Sequence, residues 1–588
     1  MINLLKIKNL NHLWGSLIVE ELVRCGVQHF FIAPGSRSTP LVLGVAENTV
    51  AVSHIHYDER GLAYFAMGLT SSTGNPTCII ATSGTAVANF LPAIVEVSKK
   101  KIPLIVLTAD RPPELRNTGA NQTIDQVKIY GDYVRFVFDM PCPTKDICPE
   151  MVLTTVDQAV YRSKGNPPGP VHINCMFREP LAPFENKSFS PKTIKSIDRW
   201  AEGNLPFTKY ITFKKTLTKY DLENIAAEIN SIKKGIIAVG KLKTKEEELS
   251  VINIAQKLNW PVFPDITSGL RLTEDDIRII HHFDQILLSQ NTVSHFKPDG
   301  VLHLGGRITS NRYYNFIRRI KPDKYIMILD HPLRNDPLHN VTLRIESSVE
   351  LFCNSINSFI KQRKNNTYVS KLKMASNIVS KNIERFTSEN NLNSITITHI
   401  ITIKTPVKTA LFLACSMPVR MMDVFADVNE NLYLVGANRG ASGIDGTIAS
   451  AVGFAMGTNQ PCVLLIGDLA FLHDLNSLAL VKSLKQPFVI IVLNDNGGSI
   501  FSFLPISSFP HIFEKYFATP HNLSFEMAAK IFDIVYTNPH NKDAFIKEYK
   551  KALANNCTTI IELKLNRQEN YEIIKSFQDK MSSIIHIK

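Results

Sequence analysis

The chain has 588 residues, more than a single hydrophobic core usually supports, so its length predicts about three domains. Hydrophobic residues make up 44% and charged residues 20%, without the ~18–20-residue apolar run that a membrane-spanning helix needs. The net charge of +12 is compatible with nucleic acid, with anionic small molecules or with no specific partner. Because aromatic residues are not interleaved with the lysines, we expect no nucleic-acid partner. Because the long apolar run is missing, we also expect no membrane insertion.

The cysteines also bear on where the protein works. There are nine, scattered along the chain without a Cys-x-x-Cys pair, which favours a reducing compartment and argues against a zinc knuckle. The N-terminus lacks the apolar core and cleavage site of a signal peptide. The sequence therefore predicts a soluble, cytoplasmic protein.

A first block of elements leads to a predicted domain at 1–185. Short apolar runs alternate with helical periods, a pattern that indicates a parallel sheet wrapped by helices. A polar, Pro-bearing linker follows near 183–215. The predicted strands are His29–Ala33, Ala51–Ile55, Thr77–Ala81, Leu104–Thr108 and Val171–Asn174.

Two further blocks repeat this theme, so the predicted fold class is α/β with three doubly wound parallel-sheet domains. The second domain is predicted at 216–355, and it lacks the Gly-x-Gly-x-x-Gly of a dinucleotide site. A charged stretch at 361–393, helical in part, leads to the third domain at 395–588. The strands predicted in the second domain are Ile236–Gly240, Val301–Gly305 and Tyr325–Leu329.

The most informative stretch runs from Gly467 to Gly498. Asp468 and Asp495 each follow an apolar run typical of a buried strand, and apolar residues at helical spacing lie between the runs. A strand–helix–strand unit of this length places its strands side by side and parallel, so both carboxylates reach the sheet's carboxyl edge. Two carboxylates and the carbonyls of a Gly-Gly turn suit Mg²⁺ that holds phosphate oxygens. The alternative is an ordinary βαβ unit whose aspartates cap a helix and start a turn.

This stretch resembles the thiamine-diphosphate motif, Gly-Asp followed roughly two dozen residues later by Asn-Asn. By position, the resemblance implies that Asp468, Asp495 and the carbonyl of Gly497 hold Mg²⁺ or Mn²⁺ against the cofactor's diphosphate. Asp495 stands where the motif commonly has Asn, a mild change because Asp is at least as good a ligand. Three blocks with the motif in the last match decarboxylase-type thiamine-diphosphate enzymes, whose active sites lie between subunits. A homodimer or homotetramer is therefore implied.

Thiamine catalysis also needs a carboxyl group that hydrogen bonds N1′ of the aminopyrimidine and favours the imino tautomer that deprotonates C2. Glu59 is the candidate, because it follows a predicted strand and opens a small, apolar helix at the sheet's carboxyl edge. On its own, Glu59 is better explained as a first-turn acid that the helix dipole favours. The metal motif in a separate block favours the catalytic interpretation.

Further motifs rich in Gly, Ser, Arg and Pro follow predicted strands in the first and third blocks. They are Ala33–Leu41, Asp58–Gly61, Ala81–Ala86, Thr108–Leu115, Gly119–Gln126, Asn438–Gly446 and Asn496–Phe501. This set resembles the 2-succinyl-5-enolpyruvyl-6-hydroxy-3-cyclohexene-1-carboxylate synthase family, the thiamine enzymes of menaquinone biosynthesis; the second block matches only loosely. The resemblance implies decarboxylation of 2-oxoglutarate and 1,4-addition of the four-carbon carbanion equivalent to isochorismate.

The family's substrates explain the arginines of these motifs. Both substrates are dianions, and the planar guanidinium of arginine binds carboxylates bidentately. By motif position, the resemblance implies that Arg420, with Ser416, and Arg439 hold the succinyl carboxylate. It also implies that Ile444 props thiamine into its bent conformation and that Phe501 packs beside the substrate. The isochorismate side is implied to comprise Ser36, Arg37, Arg111, Asn121 and Gln122.

One departure from the family lies in the second block. The family usually carries Lys-Arg where this chain has Asn311-Arg312. We expect Arg312 to keep its role at the isochorismate carboxylates. Asn311 lacks a cation, which leads to the hypothesis of a weaker isochorismate affinity.

Other functions remain as alternatives. Another 2-oxoacid decarboxylase or an acetolactate-synthase-like carboligase predicts turnover of pyruvate without isochorismate, and it would not need Arg111, Arg420 and Arg439. A catalytically silent relative predicts loss of Glu59 or of a metal ligand, and none is lost. The sequence leaves open dimer against tetramer, Mg²⁺ against Mn²⁺, and whether the central domain binds an effector.

Overall fold

The computed structural model describes residues 7–185, 195–212, 215–273, 276–364, 367–428 and 434–586. The strands of these residues form three sheets, of six, five and six strands. Every pair of neighbouring strands is parallel. The predicted α/β class with three parallel sheets is confirmed.

The first sheet contains the predicted strands and one that was not predicted. Its strands are β1 (His29–Ile32), β2 (Val52–Ile55), β3 (Thr77–Ala81), β4 (Leu104–Asp110), β5 (Val137–Met140) and β6 (Pro170–Met176), in the order β2-β1-β3-β4-β6-β5. The unpredicted strand is β5, an edge strand that is only partly buried. The helices are α1 (Leu10–Arg24), α2 (Thr39–Glu47), α3 (Glu59–Thr73), α4 (Thr85–Asn89), α5 (Leu91–Lys100), α6 (Pro149–Lys164) and α7 (Asp198–Glu202).

The second sheet is smaller and has a different order, β11-β10-β9-β7-β8. Its strands are β7 (Gly235–Val239), β8 (Val262–Pro264), β9 (Gly300–Leu304), β10 (Lys324–Leu329) and β11 (Leu343–Glu346). The helices are α8 (Lys219–Ser231), α9 (Lys245–Leu258), α10 (Phe283–Ile286), α11 (Gln290–His295), α12 (Asn311–Ile320), α13 (Val349–Ile356) and α14 (Thr367–Glu389). The last of these lies in the charged stretch predicted to be helical in part.

The third sheet has the order β13-β12-β14-β15-β17-β16. Its strands are β12 (Ala410–Leu413), β13 (Val435–Ala437), β14 (Cys462–Gly467), β15 (Phe488–Asn494), β16 (Val535–Thr537) and β17 (Thr558–Lys564). The helices of this part of the chain are α15 (Ser394–Lys404), α16 (Met417–Phe425), α17 (Thr447–Thr458), α18 (Asp468–His473), α19 (Pro510–Phe513), α20 (Glu526–Ile531), α21 (Lys542–Ala554) and α22 (Arg567–Ile584). Between β14 and β15, a 3₁₀ helix at Leu475–Ser483 follows α18, so the predicted helix is in two pieces.

The chain forms two compact units. One comprises Met1–Thr212, Asn438–Asn459 and Ala470–Lys485, and the other comprises Phe213–Ala437, Gln460–Leu469 and Gln486–Lys588. The predicted domain limits, 1–185, 216–355 and 395–588, stay a prediction.

In the first unit, α17 packs tightly against α3. A Cβ on Gly68 would lie 2.1 Å from the Ser450 carbonyl oxygen, and one on Gly453 would lie 2.1 Å from the Phe65 carbonyl oxygen. The two helix backbones therefore approach closely at glycines, where no side chain separates them.

Part of the predicted linker packs on the first sheet's helices. The Trp200 indole N–H donates to Glu21 at 2.6 Å, and the Phe207 N–H donates to the same carboxylate at 2.5 Å. Predicted linker residues 186–194 and 213–214 lie outside the described residues. Within the described part of the chain, no helix has both the length and the apolar character required to cross a membrane.

Candidate active site

Two buried aspartates mark the carboxyl edge of the third sheet. Strands β14 and β15 are parallel neighbours, and Gly467 pairs with Leu493 at their ends. Asp468 and Asp495 follow these ends directly and are 2% and 7% exposed. The predicted βαβ arrangement, which puts both carboxylates at one edge, is thus confirmed.

Hydrogen bonds hold the Asp468 carboxylate in place. Its Oδ1 accepts the Leu469 N–H at 2.6 Å, and its Oδ2 accepts the Gly497 N–H at 2.8 Å. The Nε2 of His521 lies 3.1 Å from Oδ2. Burial raises the pKa of Asp468, and these hydrogen bonds oppose the shift.

Asp495 is electrostatically coupled to Asp468. Burial, and next the negative charge of Asp468, raise the pKa of Asp495 to about 7, against a hydrogen bond from Ser499 and the positive charge of Arg567. A divalent cation between two buried carboxylates would stabilise both in their charged forms.

The turn after Asp495 adds a third oxygen. Gly497 has φ +132°, and a Cβ there would lie 2.1 Å from the Ala518 carbonyl oxygen, so the turn requires glycine. The Gly497 carbonyl accepts the Ser499 N–H at 3.0 Å and keeps a second lone pair for a ligand. Two carboxylates and a carbonyl are hard oxygen donors, a set that fits Mg²⁺ or Mn²⁺ on a diphosphate.

Phe501 lies just beyond this turn. Its ring meets Phe517 edge-on, with the ring centroids 5.6 Å apart. A Cβ on Gly498 would lie 2.8 Å from the Phe501 ring. Because glycine has no Cβ, the ring can pack against the turn.

Glu59 is the first residue of α3, directly beyond β2 at the carboxyl edge of the first sheet. Its side chain is half-buried, and Oε2 accepts a hydrogen bond from the Asn89 amide at 3.3 Å. Asp58 caps the helix by accepting the Gly61 N–H at 3.1 Å. Arg60 donates to the carbonyl of His473 at 2.7 Å, which fixes the start of the helix on that side.

The predicted isochorismate residues lie at this same edge. Ser36 and Arg37 follow β1, and Arg111 follows β4. Arg37 is buried and donates to the Phe177 carbonyl at 2.9 Å and to Glu179 at 3.3 Å. The buried Nε atoms of Arg37 and Arg111 have no hydrogen-bond acceptor among the described residues.

Asn121 and Gln122 lie on the long connection between β4 and β5, and both are exposed. Gln122 has φ +51°, a left-handed conformation that is uncommon for a residue with a side chain. A Cβ on Gly84, which follows β3, would lie 3.5 Å from the Gln122 Cβ. Gln122 therefore lies beside the β3 loop at the sheet's carboxyl edge.

Arg312 is held by a buried acid. Its guanidinium is hydrogen bonded to Asp284, which also accepts the Ser310 hydroxyl at 2.5 Å. Ser310 caps α12 through the Tyr313 N–H, and Asn311 is the exposed first residue of that helix. The ion pair with Asp284 fixes the orientation of Arg312. Its neighbour Asn311 stands where the family usually has lysine.

Ser416 and Arg420 lie after β12, at the start of α16 and one turn into it. The Arg420 guanidinium donates to the Ser416 carbonyl at 2.6 Å, and Ser416 has φ +71°. Arg439 and Ile444 lie on the connection from β13 to α17; Arg439 is half-buried and Ile444 is 36% exposed.

The predicted residues divide between the two units. Within their units, the structure joins Asp468 to Gly497 and Ser416 to Arg420 by hydrogen bonds. The first unit carries Ser36, Arg37, Glu59, Arg111, Asn121, Gln122, Arg439 and Ile444, and the second carries Arg312, Ser416, Arg420, Asp468, Asp495, Gly497 and Phe501.

Two polar residues at these sites were missed by the sequence analysis. Asp284 lies between Phe283 and Gln285 in a stretch where two histidines also interrupt the apolar residues, so the sequence gives little sign that it is buried. No spacing or motif marks His521, which reaches Asp468 from a loop far along the chain.

Models of thiamine pyrophosphate enzymes match three consecutive parts of the chain. The N-terminal TPP binding domain matches residues 14–129, the middle domain matches 192–413, and the C-terminal TPP binding domain matches 419–563.

Similar proteins extend over nearly the whole chain. It is 42% identical over 562 residues to 2-succinyl-5-enolpyruvyl-6-hydroxy-3-cyclohexene-1-carboxylate synthase of Rubrobacter xylanophilus, covering 95% of this chain and 96% of that protein. The synthases of the same name from Salinibacter ruber and Prosthecochloris aestuarii are 40% and 39% identical. They cover 96% and 98% of this chain, and the matches span 95% and 98% of those proteins.

Among solved structures, benzoylformate decarboxylase from Polynucleobacter necessarius is similar, with a TM-score of 0.70 over 94% of this chain and 98% of that chain. At 16% identity, the likeness concerns the fold alone. The relatives and the three domain matches agree with the buried pair of Asp468 and Asp495. The chain belongs to the 2-succinyl-5-enolpyruvyl-6-hydroxy-3-cyclohexene-1-carboxylate synthase family of thiamine-diphosphate enzymes.

Proposed function

We propose that the protein is a thiamine-diphosphate-dependent transferase of menaquinone biosynthesis. It converts isochorismate and 2-oxoglutarate into 2-succinyl-5-enolpyruvyl-6-hydroxy-3-cyclohexene-1-carboxylate and CO₂. The observation that carries the proposal is the buried pair Asp468 and Asp495 beside the Gly497 turn, in a chain 42% identical to a synthase of that name.

The cofactor is anchored by Asp468, Asp495 and the Gly497 turn, here called the acidic corner. Asp468, Asp495 and the Gly497 carbonyl would hold Mg²⁺ or Mn²⁺, which neutralises the carboxylates and the diphosphate together. When bound, thiamine diphosphate supplies a nucleophilic carbon that also accepts the electrons released by decarboxylation. Ile444, partly exposed on its loop, props the thiamine, and Phe501 packs beside the substrate.

Glu59 is the proton carrier of the proposal. At the first turn of α3 it would hold or release a proton at N1′ of the aminopyrimidine. Its present partner, the Asn89 amide, is a neutral donor, so a ring nitrogen can replace or join it.

The arginines bind the two dianions. Arg420, next to Ser416, and Arg439 hold the succinyl carboxylate in the proposal. Arg111 and Arg312 bind the isochorismate carboxylates, with Ser36, Arg37, Asn121 and Gln122 completing that side. The pair with Asp284 fixes the direction in which Arg312 points.

Two copies of the chain form the working unit in this proposal, as the resemblance implies. Glu59 of one copy and the acidic corner of the other serve the same cofactor in a homodimer, or in a homotetramer built from such dimers. A cytoplasmic location stays a prediction from the cysteine pattern, and all nine cysteines, which lie within the described residues, are free thiols.

The proposal is tested by incubating purified protein with thiamine diphosphate and Mg²⁺. We expect the isochorismate absorbance to fall only when 2-oxoglutarate is present, with the named product detected by mass spectrometry. Pyruvate in place of 2-oxoglutarate should give no reaction. Turnover of pyruvate without isochorismate would support a decarboxylase or acetolactate-synthase-like activity instead.

A further inference from the structure

The connection from β13 to α17, here called the 438–446 loop, is held by a buried glutamate of the first block. Glu96, on α5, is 2% exposed. Its Oε1 accepts the Gly440 N–H at 2.7 Å, and its Oε2 accepts the Ala441 N–H at 2.5 Å and the Ser442 N–H at 3.2 Å. One carboxylate therefore binds the N–H groups of three successive residues.

Successive backbone N–H groups that converge in this way form a concave anion site, which here is filled by the protein's own side chain. The fit depends on close approach. A Cβ on Gly440 would lie 2.6 Å from the Glu96 carbonyl oxygen and 3.0 Å from its carboxyl carbon. Hydrogen bonds to a charged acceptor are about twice as strong as neutral ones, so this contact fixes the backbone beside Arg439.

The other end of the loop is fixed independently. The Tyr64 hydroxyl, on α3, donates to the Asp445 carboxylate. Gly446 has φ +60°, and a Cβ there would lie 1.9 Å from the Tyr64 ring. Only Gly443 and Ile444 lie between the two anchored ends, so Ile444 is presented from a loop that is pinned on both sides.

We infer that Glu96 is a positioning residue for the 438–446 loop, and that it acts through Arg439 and Ile444 on the binding of 2-oxoglutarate and thiamine diphosphate. The inference rests on the proposed function for the roles of those two residues. Glu96 itself touches neither ligand in this account. Without its carboxylate, up to three part-buried N–H groups lose their acceptor and the loop loses its fixed shape.

Amide hydrogen exchange tests the contact without any cofactor. In the wild-type apoprotein, we expect the amides of Gly440, Ala441 and Ser442 to be protected. In Glu96→Gln, the amide nitrogen replaces one acceptor oxygen, so at least one of these amides should exchange about tenfold faster or more. Gly440→Ala, which pushes the loop from α5 without removing the charge, should do the same.

Kinetic and binding measurements test whether the loop contact affects the binding of 2-oxoglutarate and thiamine diphosphate. For Glu96→Gln we expect the KM for 2-oxoglutarate and the Kd for thiamine diphosphate to rise about tenfold, with the KM for isochorismate changed less than about twofold. Glu21→Gln is the matched control. Glu21 is also buried and accepts a backbone N–H, but it holds the segment at Phe207. Glu21→Gln should lower the melting temperature without raising the KM for 2-oxoglutarate more than the KM for isochorismate.

The outcomes separate the inference from the function. Unchanged protection of residues 440–442 in both variants would overturn the contact, whatever the enzyme catalyses. An equal rise in both KM values, or the same split in Glu21→Gln, would reduce Glu96 to a stabilising residue. If the wild type does not consume isochorismate with 2-oxoglutarate, the proposed function fails while the exchange result still stands. If Glu96→Gln does not fold, Gly440→Ala supplies both measurements.

Discussion

The first and third sheets have the same topology, but at two matching strand ends they carry opposite charges. Counted from its own first strand, each has the order 2-1-3-4-6-5. The second strand is followed by Glu59 in the first sheet and by Arg439 in the third. The fourth strand is followed by Arg111 in the first sheet and by Asp495 in the third. At these two matching strand ends the signs of the charges are reversed, whereas the first strand of each sheet is followed by an arginine, Arg37 in the first sheet and Arg420 in the third.

This comparison shows how little of the site the topology decides. Parallel strands deliver every such residue to the carboxyl edge of its sheet, which is where α/β proteins bind ligands. The side chain at that point decides whether the edge attracts a cation or an anion. In the proposed function, the first edge accordingly binds the isochorismate carboxylates and a pyrimidine, and the third edge binds a metal, a diphosphate and the succinyl carboxylate.

The largest expected effect comes from Glu59, the acid at the start of α3. Glu59→Gln keeps the size of the side chain but removes its ability to exchange a proton, so kcat should fall about 10²–10⁴-fold. Glu47→Gln, at the end of α2, should leave kcat unchanged. Initial rates of isochorismate consumption measure both variants. Near-normal turnover in Glu59→Gln would leave the first sheet without a catalytic acid.

Asp468 is the corresponding test of the acidic edge. Asp468→Ala removes a metal ligand and should weaken thiamine-diphosphate binding in Mg²⁺ about 100-fold or more, because loss of an outer partner alone costs 10–100-fold. Calorimetric titration measures the affinity. Asp543→Ala, an exposed acid on α21, is the control, and equal affinities in the two variants would contradict the metal assignment.

The pH dependence of this edge follows from Asp495. Its pKa is raised from 3.8 to about 7, so its protonated form stabilises the metal-free protein fully below the unfolded value and loses that effect as the pH rises through about 7. Mg²⁺ must displace the proton, so its affinity should fall by up to about tenfold per pH unit below 7. Titrations across that range should show the slope in the wild type and a flat profile in Asp495→Asn. A slope of equal size in the variant would assign the proton to another group.

The smallest expected effect concerns the second sheet. Asn311→Lys adds a cation next to Arg312 and should lower the KM for isochorismate about 3–10-fold without changing the KM for 2-oxoglutarate. Asn315→Lys adds the same charge one turn later on α12, at another exposed position, and should change neither value. An unchanged isochorismate KM in Asn311→Lys would remove the significance of this departure from the family.

The two strands that lead to the predicted metal ligands are continuously buried. Strands β14 and β15 are buried along almost their whole length, so their apolar runs end where Asp468 and Asp495 begin. Seven strands were not predicted. Strands β5, β11 and β16 are short edge strands, partly exposed, without such a run. Strands β8, β12 and β13 have only three or four residues each, and in β17 the buried Glu562 interrupts the apolar residues.

The residues of the site also differ in how far the sequence could predict them. Glu59, Asp468 and Asp495 are local features, since each lies just after a strand, and the sequence predicted their positions. Glu96 and Asp284 act on residues far along the chain, and only packing brings them there. Their roles could not be predicted from spacing, although the acid Glu96 on the apolar face of α5 hints at a buried partner.

The central claim is that the carboxyl edges of the first and third sheets, one from each copy, build one active site. Co-expression of Glu59→Gln and Asp468→Ala chains tests it directly, because each mixed dimer then pairs an intact Glu59 with an intact Asp468 from the other copy. We expect about a quarter of the wild-type activity, since half of the dimers are mixed and each has one intact site. Activity no higher than that of the two variants measured separately would contradict the claim.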